Sequence, residues 1–282
     1  MTSKKQDARA GLLFILPSLL GAAVFVLIPF LDVVRRSFSG AMSGGFVGLA
    51  NYRAVFENKA FRQAAGNTLR FAATCIPLLI ALSLLLALVL YSRISRAGLF
   101  KTTFLIPMAI PVASVVLLWR VLFHRSGFLS ALLVSLGGQS ADWMGGGSAF
   151  WVLVFSYIWK NLGYDMVLWL AGLAGIPSSV FEAAAVDGAG PFALFFRVTL
   201  PNLLPSLFTI TVLSFLNSFK VFREAYLVAG DYPHSSIYLL QHLFNNWFRD
   251  LSMDKLAAAA VVTALAILAL ILLLRRAWEV EG

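Results

Sequence analysis

The chain has 282 residues, 60% of them hydrophobic and only 12% charged. A soluble domain carries about twice that share of charge, so the composition, with a mean hydropathy of +0.85, excludes a water-soluble globule and indicates an integral membrane protein. The net charge is +9; in so apolar a chain, excess Lys and Arg serves orientation and lipid headgroups, and nucleic-acid binding is set aside.

Six apolar segments are each long enough, at about 20 residues, to cross a bilayer as a helix. The first, 11–34, follows a basic start and exceeds the apolar core of a cleaved signal peptide, so it reads as a retained helix. The second spans 68–91 and contains the single cysteine, Cys75, which excludes an internal disulfide. The third, 103–123, contains FLIPMAIPVASVVLLW. The fourth, 149–174, is the most polar; the fifth covers 202–222 and the sixth 255–274. The fold class is therefore all-α integral membrane. A transmembrane domain over 11–275 lies between short ends at 1–10 and 276–282.

Six spans put both ends on one side of the membrane. The positive-inside rule does not choose that side. Lys4, Lys5, Arg9, Arg93, Arg96, Lys101, Arg197, Arg275 and Arg276 fall on one face. Arg35, Arg36, Arg53, Lys59, Arg62, Arg125, Arg223, Arg249 and Lys255 fall on the other, nine against nine.

Within the fourth span, Tyr157, Lys160, Asn161 and Tyr164 follow i, i+3, i+4, i+7 and share one helix face, with Asp165 flanking it. Ionisable groups at membrane depth face a cavity or a polar partner. Two readings fit: these residues line a solute path, or a Lys160–Asp165 or interhelical contact only holds helices together.

Between spans four and five lies IPSSVFEAAAVDGAGPFALFFRVTLP, residues 176–201. Ser179 followed by Glu182 reads as a capping box. Helix then runs to about Asp187, Gly188 and Gly190 take positive φ and end it, and Pro191 opens a second short helix. Pro201 stops that helix near Thr199. Helices of about ten residues do not hold alone in water, so the pair needs a surface to pack on. A plain connector satisfies this spacing, and so does a docking element, whose small alanines allow close approach.

In the fifth span Ser206, Thr209, Asn217 and Lys220 share an arc. Ser and Thr bond back to their own helix, so Asn217 is the better solute contact, while Lys220 either joins it or snorkels to the interface. In the loop at 235–248, Ile237, Leu240, Phe244 and Phe248 recur at helical spacing beside Trp247, which suits an amphipathic helix at the outer interface.

Glu182, Ala183, Ala184, Gly188, Val198, Leu200 and Pro201 resemble the signature of ABC importer membrane subunits: EAA, three residues, Gly, nine residues, an aliphatic residue, one residue, Leu-Pro. Val198 stands where the family usually has Ile. The wider IPxxxxEAAxxDGA, together with FVGLANYRAVF at 46–56, GNTLRF at 66–71 and FREAYLVAGDYPHSSIYLLQHLF at 222–244, is similar to the carbohydrate-uptake branch. The resemblance implies a cytoplasmic two-helix coupling loop, 176–201, seated in a cleft of an ATPase subunit. Its coupling residues would be Glu182, Ala183, Ala184, Asp187, Gly188 and Ala189, with Glu182 pairing with a basic group of the partner.

It further implies a multi-pass bacterial or archaeal inner-membrane permease with both termini cytoplasmic. The partners implied are a second, homologous permease in a heterodimer, two ATPase subunits that carry ATP and Mg, and an extracytoplasmic solute-binding protein. On this footing the stripe of span four suits a sugar, because hydroxyls bond amide, carboxylate and ammonium groups and aromatic rings cover a pyranose face. Import of glycerol phosphate or a polyol is the alternative, and a stand-alone channel or membrane enzyme a further one.

The sequence has no GxxxxGK[ST] phosphate loop, HExxH or paired-Cys metal pattern. His124, His234 and His242 lack ligand-like neighbours, and His234 and His242 read as interfacial or surface residues. No cofactor is expected on this chain, and no catalytic nucleophile–base set is found.

Overall fold

The computed structural model describes residues 14–41, 44–93 and 97–279. The ends expected at 1–10 and, from the 276–282 end, residues 280–282 lie outside the described residues, as do Lys4, Lys5, Arg9 and Arg96. Among the described residues the chain is helical, without strands; a single antiparallel bridge joins Ser39 and Phe46.

Among the described residues five helical stretches are long and apolar enough to cross a membrane: Phe14–Ser37, Lys59–Tyr91, Val112–Ser135, Leu204–Ala229 and Met253–Arg276. Ala149–Ala174, bent by 69° from the following Ser178–Val186, makes a sixth candidate. In chain order the elements are α1 (Phe14–Ser37), α2 (Ala50–Glu57), α3 (Lys59–Arg93), α4 (Ala97–Ala109), α5 (Val112–Phe123), α6 (Phe128–Ser135) and α7 (Ala149–Ala174). There follow α8 (Ser178–Val186), α9 (Pro191–Leu194), α10 (Leu200–Asn202), α11 (Leu204–Ser218), α12 (Phe222–Ala229), α13 (Leu240–Arg249) and α14 (Met253–Glu279).

The third expected span, 103–123, is not one helix. Pro111 lacks an N–H and forces its predecessor out of the helical region, so α4 ends at Ala109 and α5 restarts after Pro111, whose ψ is 140°. The fifth span runs past 222, through a 3-10 turn at Phe219–Val221 and on through α12.

The chain divides into two compact units. The first comprises the described residues of 1–62 and 244–269. Here α1 buries no residue of its most apolar window, as a helix does when lipid or another chain covers it. Its end pairs charges along the helix and is tied to α2 by hydrogen bonds. Asp32 pairs with Arg35 at 2.8 Å and Arg36 at 2.6 Å. Asn51 donates to the carbonyls of Ser37 and Ser39, and the Ser37 hydroxyl meets Tyr52 at 2.7 Å.

The second unit comprises 63–243 and the described residues of 270–282. Helix α7 is its axis, packed by α4 and α11, while α5 packs on α12. One core cluster gathers Phe71, Leu79, Phe150, Leu153, Tyr157 and Ile237; a second gathers Met166, Trp169, Leu173, Leu203 and Ile210. Two tryptophans on neighbouring helices donate their ring N–H to buried serines, Trp119 to Ser156 at 2.7 Å and Trp169 to Ser83 at 3.1 Å. The GNTLRF segment clamps the later loop: Asn67 donates to the carbonyls of Ser235 and Tyr238, and Thr68 accepts from the Leu240 N–H.

The expected amphipathic helix differs from its sequence pattern. It begins at Leu240, and its buried side carries Leu240, His242, Leu243, Asn246 and Trp247, whereas Phe248 is exposed. The apolar spacing expected at the outer interface, with Phe244 and Phe248, is thus not the side that packs on the protein: Phe244 is half-buried. The correction extends to His242, which is fully buried rather than at the surface. Its Nδ1 accepts from the Leu239 N–H at 3.2 Å, and its ring meets Phe222 edge-on.

Candidate functional site

Two features of the second unit gather the residues that the sequence singled out: a polar cavity and the elbow between α7 and α11.

The cavity has a volume of about 240 Å³. Five residues that the sequence singled out line it: Tyr157, Lys160 and Asn161 from α7, and Asn217 and Lys220 from α11 and the 3-10 turn after it. Helical spacing on α7 projects the first three to one side, and the packing of α11 on α7 brings the others to face them. Ser156 of α7 with Arg223 and Glu224 of α12 completes the polar lining; sequence reasoning had not selected these three. The signal was available, since Glu224 is an acidic residue in an apolar stretch, but no periodic stripe marked it.

Lys160 Nζ lies 2.7 Å from Glu224 Oε1, an ion pair between side chains only 18% and 7% exposed. Glu224 Oε2 is buried and has no hydrogen-bond partner among the described residues. The interhelical contact of Lys160 is therefore to Glu224, not Asp165. Lys220 donates to Asn217 Oδ1 at 2.7 Å, Asn161 donates back to the Tyr157 carbonyl, and the Tyr157 hydroxyl donates to the Ser214 carbonyl at 2.6 Å. Lys220 and Arg223 are more open to solvent than Glu224.

Tyr164 and Asp165 stand outside the cavity lining. Tyr164 is half-buried. Asp165 is 1% exposed and accepts the Ser214 hydroxyl at 2.6 Å on Oδ2; Oδ1 has no partner among the described residues. Thr209 bonds back to the Pro205 carbonyl, as its position inside a helix favours, and Ser206 lies in a separate crevice with Gly172.

The elbow starts at Pro177, which caps α8. No side-chain cap bond forms, so the expected Ser179–Glu182 capping box is absent: Pro177 takes the cap position, and Ser179 already lies in the first turn. The helix ends with Asp187 as cap. Gly188 has φ +74°, and two bonds, Gly188 N–H to Ala185 O and Ala189 N–H to Ala184 O, close a Schellman motif. Gly190, expected at positive φ, instead has φ −70° and precedes Pro191 at the start of α9.

Nor does helix stop near Thr199. Residues Phe195–Thr199 form a π-helical turn that leads into α10, with Pro201 in its first turn. The wider turn carries the chain past the missing proline N–H: the Leu200 N–H bonds to Phe195 O, and Asn202 Nδ2 bonds to Val198 O.

Ile176, just before α8, and Val180 and Phe181 on it pack with the core around Trp169 and Leu203, and Ala184 on the helix is buried. Its other side presents Glu182 and Ala183, with Val186 88% and, beyond the turn, Phe192 82% exposed. Of the two alanines, Ala184 thus contacts its own chain, and Ala183 faces outward. Asp187 and Gly188 are exposed at the bend, and Ala189 is half-buried. A carboxylate set among exposed apolar side chains on an element anchored from behind is a surface that can bear load. Among the described residues no cluster of His, Cys, Asp and Glu fits a metal ion.

Residues 79–278 match the family described as binding-protein-dependent transport system inner membrane component. The chain is 30% identical over 277 residues, 96% of its length and 92% of the relative's, to the trehalose/maltose transport system permease protein of Thermococcus litoralis. It is also 30% identical over 267 residues, 92% and 90% of the two chains, to the sn-glycerol-3-phosphate transport system permease protein of Yersinia enterocolitica. A solved bacterial ABC transporter involved in the import of the acidic polysaccharide alginate contains a chain that superposes with a TM-score of 0.83 at 20% identity, covering 99% of each chain. At that identity the likeness speaks for the fold.

Proposed function

Because the chain belongs to the family of binding-protein-dependent transport system inner membrane components, a family of transport components rather than catalysts, we propose that it is the permease subunit of an ATP-driven importer for a sugar or oligosaccharide. The observation that carries the coupling part is the elbow. A short helix anchored on its own core presents Glu182, Ala183 and Val186 outward and ends in a glycine hinge.

In this reading both termini and the elbow are cytoplasmic. The elbow seats in one of two ATPase subunits, which hold ATP and Mg, and Glu182 pairs with a basic group there. Closure of the ATPases pushes α8. Because α8 is packed on the core that holds α7 and α11, the push reaches the helices that line the cavity. The cavity then opens to alternate sides, provided the solute and the binding protein prefer different states. A homologous permease supplies the other half of the path, and an extracytoplasmic binding protein delivers the solute.

The solute is read as a saccharide, because Tyr157, Asn161, Asn217 and Lys160 offer an aromatic ring, amides and an ammonium. A second reading, sn-glycerol 3-phosphate, is favoured by the further cations Lys220 and Arg223 in the lining and by the name of the Yersinia relative. Co-expression with the neighbouring transporter genes, followed by purification and uptake assays in proteoliposomes, tests the proposal. ATPase subunits are expected to co-purify, and ATP-dependent uptake of a neutral saccharide is expected. A chain that purifies alone, or uptake without ATP, contradicts it. Exclusive uptake of the phosphate ester selects the second reading.

A further inference from the structure

Of the three cations that line the cavity, Lys160 is the one held by a carboxylate among the described residues; Lys220 and Arg223 sit nearer solvent, where water and salt screen them. Lys160 is bound at 2.7 Å by Glu224, which is itself 5% exposed. A lone ammonium here would attract anions strongly, because the local dielectric is low. Paired, it is part of a neutral unit, and two of its three protons remain for other acceptors.

We propose that Glu224 is a positioning residue that sets the charge of the solute accepted at this cavity: it cancels the Lys160 charge and aims the ammonium at uncharged hydroxyls. An anionic group approaching Lys160 would meet the Glu224 carboxylate, a like charge that rejects it. A hydroxyl meets no such penalty, since it accepts from Lys160 and donates elsewhere. The solute class is thus an uncharged polyol or saccharide. The inference rests on reading the cavity as the solute path.

The test is equilibrium binding of labelled maltose and labelled sn-glycerol 3-phosphate to the assembled permease–ATPase complex in nanodiscs, without binding protein, so that only the membrane cavity selects. The unaltered complex is expected to prefer maltose. Glu224→Gln leaves Lys160 unpaired and is expected to move the ratio of the two dissociation constants toward the anion by about tenfold. Glu224→Asp is expected to restore the original ratio, which a purely structural role does not predict.

An unchanged ratio in Glu224→Gln, while Asn161→Ala weakens binding of maltose, overturns the role of Glu224 and leaves the path standing. If neither variant alters binding, or the unaltered complex binds neither probe, the path reading falls and this inference with it. If Glu224→Gln does not assemble, the pair Lys160→Gln with Glu224→Gln, which removes both charges, is read instead. It should keep the preference for maltose, and a swing toward the anion contradicts the proposal.

Discussion

Gly163 of α7 lies directly against the Phe104 carbonyl of α4, so close that a Cβ at this position would overlap the oxygen. Small residues let membrane helices approach in this way where lipid gives no hydrophobic drive between them. Gly163→Ala must push α4 off α7, and we expect a loss of about 2 kcal/mol. Gly66 of α3 has nothing within 4 Å of its Cβ position, so Gly66→Ala should be neutral or stabilising by about 0.5 kcal/mol. Thermal unfolding of the purified complex compares them; equal midpoints would argue against the close approach.

The Ser214 hydroxyl is the one hydrogen-bond donor to the buried Asp165 carboxyl among the described residues. Ser214→Ala strands that group and should cost about 1–3 kcal/mol. Ser135→Ala removes only an exposed bond to the Leu132 carbonyl and should fall within about 0.5 kcal/mol of the unaltered chain. The same unfolding assay reads both.

At the elbow, Gly188 has φ +74° and Gly190 has φ −70°. A β-branched residue at the first costs about 1–2 kcal/mol for a left-handed backbone, or unwinds the Schellman turn. Gly188→Val should therefore lower uptake several-fold with the protein still present in the membrane, whereas Gly190→Ala should transport nearly normally. Uptake normalised to membrane abundance separates the two.

The elbow also marks how far the sequence could be read. Its helix–turn–helix form was legible in EAAAVDGAG because glycine and proline chemistry is local. The passage through Pro201 was not, since a π-helical turn depends on which carbonyls find donors, and no propensity encodes that. Likewise the face of α7 was legible from the spacing of Tyr157, Lys160 and Asn161. The partner of Lys160 was not, because Glu224 is 64 residues away and only folding brings it near. The break at Pro111 could have been found from the FLIPMAIP run had its two prolines been weighed against the apolar length.

His242 carries a pH dependence. Burial pushes its pKa down from 6.5 to about 4, with the charge of Asp231 acting against the shift. Unfolded chains bind the proton near pH 6.5 and the folded chain resists it, so this contribution is complete above pH 6.5 and is lost as pH falls toward 4. Protonation would also remove the Nδ1 acceptor of the Leu239 N–H. Between about pH 7.5 and 5 we expect a loss on the order of 2 kcal/mol, which His242→Gln should largely abolish. Unfolding midpoints of both proteins across that range check the sign.

The central claim is that the outward side of α8 meets an ATPase on the cytoplasmic face. Val186 is 88% exposed on that side, and the only native cysteine, Cys75, is fully buried and adds little background. Val186→Cys, in the complete transporter, should form a disulfide or a short-linker adduct with a cysteine placed in the cleft of the ATPase subunit. With the ATPase subunits stripped off, it should react with a membrane-impermeant thiol reagent in inside-out vesicles, and it should be spared in intact cells. Labelling of the introduced thiol from the cell exterior, or an adduct with no ATPase subunit under conditions that sustain uptake, would contradict the account.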